Sequence, residues 1–83
     1  MHQLKIEKDV LKTLEKISEP DYTKIKKAIN DLAIDPRPHG SKKLKGRPGY
    51  RVRQGDYRII YTIDDGRLIV FVIELGHRKD VYD

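Results

Sequence analysis

An α+β fold is predicted, with elements in the order β-α-α-β-β-β and a two-helix hairpin on one face of a four-stranded, mainly antiparallel sheet. Three observations predict it. A short apolar–polar alternation opens the chain, two segments with helical spacing follow across a short link, and three strand-like segments then run in succession through glycine-containing turns. At 83 residues the chain makes one domain, residues 1–83, with a modest core.

Each element has its own signal. "QLKIE" alternates Leu4 and Ile6 with polar neighbours, as a half-buried strand does. Val10, Leu11, Leu14 and Ile17 then form one helical stripe, and Tyr22, Ile25, Ala28, Ile29, Leu32 and Ala33 form a second. Ser18 with Asp21 three residues on reads as a capping box, with Pro20 tolerated in the first turn. The second helix should stop before Pro36. Residues 35–49, "DPRPHGSKKLKGRPG", hold three of the four prolines and three of the six glycines, so a long loop is expected, anchored by Leu44. "YRVRQ" and "YRIIYTI" flank Gly55-Asp56, a two-residue turn with glycine first. "RLIVFVIEL" follows Asp65-Gly66 and is apolar enough to be covered on both faces. Gly76 is expected to end that strand.

The net charge of +5 is unevenly placed. Residues 1–36 sum to zero and residues 59–83 to −2, so the whole excess, +7, sits in residues 37–58. A block of this kind suits a polyanion such as RNA or DNA, or an acidic protein partner. Within the loop, Lys42, Lys43, Lys45 and Arg47 are the candidate backbone contacts, which would position a nucleic acid without reading its sequence.

The turn at Gly55-Asp56 fixes a register. Gln54 faces Tyr57, Arg53 faces Arg58 and Val52 faces Ile59. Strand alternation then puts Tyr50, Val52, Tyr57, Ile59, Tyr61 and Ile63 beneath the helices, and Arg51, Arg53 and Arg58 on the other face. Like charges opposed across strands destabilise a sheet. Guanidinium forks match phosphate and stay charged at any useful pH, so a shared phosphate would account for their company. A plain solvated face, with the arginine stems covering the sheet, is the alternative. The tail "GHRKDVYD" adds His77, Arg78 and Tyr82. Histidine titrates near neutral pH, and a tyrosine among arginines is expected to ionise more easily; an exposed loop histidine and an aromatic clip are the plainer readings.

Other chemistries lack their signals. No cysteine is present, which excludes disulfides and cysteine-bound zinc. His2, His39 and His77 are isolated, so neither a metal nor another cofactor is expected. No phosphate-binding glycine loop ending in Gly-Lys-Ser/Thr occurs. The start lacks a signal-peptide core and no segment reaches membrane-spanning length, so a cytoplasmic protein is expected.

Leu44 to Tyr82, "LKGRPGYRVRQGDYRIIYTIDDGRLIVFVIELGHRKDVY", resembles the RelE branch of the RelE/ParE toxin superfamily, and the preceding strand and helices match its element order. "YRVRQGDYRIIY" and "GHRKDVY" are the most specific parts. The resemblance implies a toxin of a toxin–antitoxin pair that cuts mRNA in the ribosomal A site without a metal, by attack of the substrate's 2′-hydroxyl. Its partners would be mRNA, the ribosome with its RNA, and an acidic RelB-like antitoxin; the chain would be a monomer or part of that toxin–antitoxin complex. Carried over by position, the site falls on Arg51, Arg53, Arg58, Arg78 and Tyr82, with Lys45 where relatives hold another basic residue. Arg58 would stabilise charge, Arg51 and Arg53 would hold the backbone, and Arg78 would serve the leaving side. Tyr82 is the first candidate for proton acceptor and His77 the second. The best-known pattern has lysines at the positions of Arg51 and Arg53, and arginine is a poor base, so the acceptor is open. The rival readings are a ParE-like inhibitor of DNA gyrase, a basic RNA-binding module without catalysis, and a toxin that keeps the fold but has lost activity.

Overall fold

The computed structural model describes residues 1–77, arranged as β1 (Gln3–Ile6), α1 (Lys8–Glu15), α2 (Asp21–Asp31), β2 (Lys42–Lys43), β3 (Tyr50–Gln54), β4 (Tyr57–Asp64) and β5 (Ile69–His77). The α+β class and the element order are those expected. The sheet has five strands rather than four, in the order β1-β5-β4-β3-β2. The added strand is the two-residue β2, which pairs antiparallel with β3 through Lys42↔Arg51 and Lys43↔Tyr50. Its two lysines give no hydrophobic alternation to detect. β1 runs parallel to β5, and the other pairings are antiparallel.

One face of the sheet carries the main core. Ile59 and Tyr61 of β4 and Val70, Val72 and Leu75 of β5 pack with Val10 and Leu14 of α1, Ile25 and Ile29 of α2, and Leu32. Burying one such side chain stabilises the fold by roughly 1.5–3 kcal/mol, which is how 37% hydrophobic residues suffice for a fold this small. The stripe residues pack as expected except Leu11, which stays 44% exposed, but both helices end early: α1 stops before Ile17 and α2 before Leu32 and Ala33.

Two local expectations fail. Ser18 makes no side-chain cap, because the N-cap position falls on Pro20, which has no polar side chain to give; Glu19, before it, accepts from Thr23 N at 2.9 Å and from Thr23 Oγ1 at 2.6 Å. Glu19 thus satisfies one first-turn amide, and Ser18 supplies only its carbonyl, to Tyr22 N. The turn before β5 is also longer than two residues. Asp64 Oδ1 accepts from Arg67 N at 3.0 Å, Leu68 takes a left-handed φ of 58°, and the strand starts at Ile69 rather than Arg67.

The turn at Gly55-Asp56 forms as read. Gly55 takes φ 60°, and Gln54↔Tyr57, Arg53↔Arg58 and Val52↔Ile59 pair in the expected register. An irregularity at Ile60/Tyr61 lets β5 carry one extra residue, Ile73, between Val72 and Glu74. That insertion keeps Val72 on the core side and turns Glu74 to the other face.

Candidate active site on the arginine face

The face away from the helices is ordered in rows by the strand register. Lys42, Arg51, Ile60 and Glu74 follow one another across β2, β3, β4 and β5; Arg53, Arg58 and Gly76 make the next row. Successive rows on one face lie about 6.6–6.8 Å apart, twice the strand rise. The three arginines are therefore brought together on two adjacent rows, as the alternation requires. Gly76 is buried and has no side chain to stand between Arg58 and a ligand. Burial lowers the Arg51 guanidinium below its usual range, and the charges of Arg53 and Arg58 lower it further. These groups feel one another.

The long loop folds over part of this face. Leu44 N donates to Gly49 O at 2.9 Å, closing a short ring of chain, and Leu44 is buried. Gly49 holds φ 128° where a Cβ would stand 3.0 Å from Tyr61 O and 3.3 Å from Leu44 Cδ1. Arg47 Nη1 donates to Glu74 Oε1 at 3.0 Å, tying the loop to β5. Ile60, between Arg51 and Glu74, is fully buried although it lies on the side away from the main core. Beside it lies a groove of about 330 Å³ lined by Lys42, Lys43, Leu44, Lys45 and Arg51.

The basic block is thus divided by the fold. Lys42 shares the Arg51 row, whereas Lys43 pairs with Tyr50 on the next position. Arg47 is engaged with Glu74. Arg37 leaves the site altogether: it donates to Asp65 at 2.9 Å and to Tyr50 Oη at 3.2 Å, and its guanidinium lies over the Tyr50 ring. That carboxylate raises the Arg37 guanidinium and is itself held below the usual carboxylate range. Nearby, Tyr61 is fully buried, stacks on Tyr50 and donates to Pro36 O at 2.7 Å; burial pushes its phenol up to about 12.

His77 is inside β5, not past its end, because the pairing with β4 continues through Tyr57↔His77. Its ring meets Tyr57 edge-on, with centroids 5.5 Å apart. Tyr57 packs against the main core, so this register places His77 on the face opposite Arg53 and Arg58. Arg78 and Tyr82 lie outside the described residues. Glu74 is not among the residues that spacing singles out. It is the single charged residue in the run from Ile69 to Gly76, and a charge in an otherwise apolar strand was the signal available.

A sheet of this order with two helices on one face matches the fold of solved RelE toxins. The archaeal RelE–RelB complex from Pyrococcus horikoshii contains a chain that superposes with a TM-score of 0.84 at 28% identity, over 96% of this chain and 98% of that one. The mRNA interferase toxin RelE of Escherichia coli K12 is 29% identical over 79 residues, 92% of this chain and 82% of its own length. Toxin RelG of Mycobacterium tuberculosis is 34% identical over 56 residues, 66% of this chain and 64% of RelG. Residues 4–82 match the family described as the ParE toxin of the type II toxin–antitoxin system parDE, and the chain belongs to that family. It is a toxin of the type II toxin–antitoxin class.

Proposed function

We propose that this toxin is a ribosome-dependent endoribonuclease that cleaves mRNA in the A site. The observation that carries the proposal is the two-row arrangement of Arg51, Arg53 and Arg58 on one sheet face, next to a lysine-lined groove. Developing negative charge on a phosphate under in-line attack by the neighbouring 2′-oxygen would be met by Arg58. Arg51 and Arg53 would hold the adjoining backbone, and Lys42 and Lys45 would extend the track. Arg78 and Tyr82 are proposed to complete the site from the tail. The names of the RelE relatives support this reading, because an mRNA interferase is a nuclease acting on mRNA. The RelE–RelB complex supports an antitoxin partner; the proposed partner is acidic and covers the same arginines, and so competes with RNA.

The test is single-turnover cleavage of mRNA on programmed ribosomes with an empty A site, with free mRNA as control. Arg58→Ala should cut about 10²–10³-fold more slowly, the scale for removing one preorganised charge stabiliser. Cleavage at the wild-type rate would remove Arg58 from that role. The family description, which names ParE, supports a second reading as a gyrase inhibitor without nuclease activity. Inhibition of gyrase supercoiling, with no RNA cut in either setting, would establish it instead.

A further inference from the structure

We infer that Glu74 is the proton acceptor for the attacking 2′-hydroxyl, an inference that rests on the RNA-cleavage reading above. The rows put it there. Glu74 faces Ile60 directly, and Arg58 stands two residues before Ile60 on the same face of β4. Diagonal neighbours of this kind have Cα atoms about 7–8 Å apart, within reach of long side chains. A phosphate held by Arg58 would therefore place its 2′-oxygen neighbour beside a carboxylate on the adjoining strand. Arg51, Arg53 and Arg58 cannot accept a proton, and His77 sits on the other side of the sheet.

The groups around Glu74 fit the role. Arg47, from the loop, binds Oε1 and fixes the carboxylate's direction. Among the described residues no hydrogen bond engages Oε2, which leaves it to take a proton. Glu74 is 42% exposed, so a substrate can approach it. Arg51 lies along its row and Arg58 diagonally across it, both cationic. Asp9 and Thr13 of α1 share a cleft with it beside Ile73 and Leu75, and Asp9 is the other carboxylate lining that cleft.

The step balances without a further reagent. The 2′-oxygen forms a bond to phosphorus as its proton moves to Glu74 Oε2. The bond from phosphorus to the 5′-oxygen breaks, its electron pair leaves on that oxygen, and solvent protonates it. The products are a 2′,3′-cyclic phosphate and a 5′-hydroxyl, and Glu74 returns its proton to solvent.

The experiment measures single-turnover cleavage at saturating ribosome across acidic to neutral pH for wild type, Glu74→Gln, Arg47→Gln, Tyr82→Phe and Asp9→Asn. The Glu74→Gln side chain keeps an acceptor for Arg47, and thermal melting confirms that each variant is folded. Glu74→Gln should lose about 10²–10³ in rate, within the range for general base catalysis, together with the acidic limb of the pH profile. Arg47→Gln should keep that limb. Overturning results are a Glu74→Gln protein with the wild-type rate and limb, equal losses in Glu74→Gln and Arg47→Gln with the limb intact, or loss of the limb only in Tyr82→Phe or Asp9→Asn. Wild-type protein that cuts no RNA would instead overturn the nuclease reading, and Glu74's role with it.

Discussion

Arg53→Gln should make the isolated toxin more stable at low salt. Arg53 and Arg58 are directly opposed, so their Cβ atoms are about 4.5–5.5 Å apart. If the guanidinium groups splay to about 8 Å, one unit-charge repulsion is roughly 0.5 kcal/mol at the dielectric constant of water and roughly 2 kcal/mol at an effective value of 20. Arg53 is exposed, so the lower figure applies, and Arg51 adds a second, weaker repulsion. The expected gain is about 0.5–1 kcal/mol, which for a domain of this size is roughly 2–8 °C in Tm. Glutamine keeps the stem and a polar head, so little packing is lost. Screening decides the matter, because the Debye length falls from about 30 Å at 0.01 M salt to about 3 Å at 1 M. Thermal melts of both proteins across that range should show a difference that shrinks toward zero. A variant that is equally or less stable at low salt, or a gain that ignores salt, would refute the view that the arginine face is held at a cost to the unbound protein.

Other perturbations test separate parts of the structure. Gly49→Ala should lose about 1–3 kcal/mol, since its φ of 128° is strained for any side chain and the new Cβ would meet a carbonyl that cannot move aside; an unchanged denaturant midpoint would refute the close approach. Asp65 is held below its usual range by Arg37, so its stabilisation is complete above the unfolded value of about 3.9 and is lost as pH falls through the lower folded value. Asp65→Asn should accordingly be less stable than wild type at neutral pH, with the gap closing on acidification, and a gap that persists in acid would exclude this pair as its source. The expected losses for Arg58→Ala and Glu74→Gln are kinetic, and Glu74→Gln should melt close to the wild-type temperature.

Local order was written in the sequence where a single strand or helix had to satisfy one periodic constraint. The stripes of α1 and α2, the turn at Gly55-Asp56 and the sorting of Arg51, Arg53 and Arg58 onto one face each follow from spacing alone, because side chains repeat every two residues in a strand and about every 3.6 in a helix. β2 is invisible to such spacing because two lysines on a sheet edge carry no repeat. The expected Ser18 cap does not form because α2 starts only after Pro20, and the Thr23 amide is met by Glu19 instead.

What the tertiary structure decided is which distant residues share a row. The extra residue Ile73 turns Glu74 toward the arginines, the unbroken pairing to Tyr57 turns His77 away from them, and the loop crossing brings Arg47 onto Glu74 while Arg37 goes to Asp65. These outcomes depend on strand register, an irregularity between two strands and the path of a loop. Each is set by packing among residues far apart in the chain, so composition and spacing identify the charged groups but leave open which of them meet.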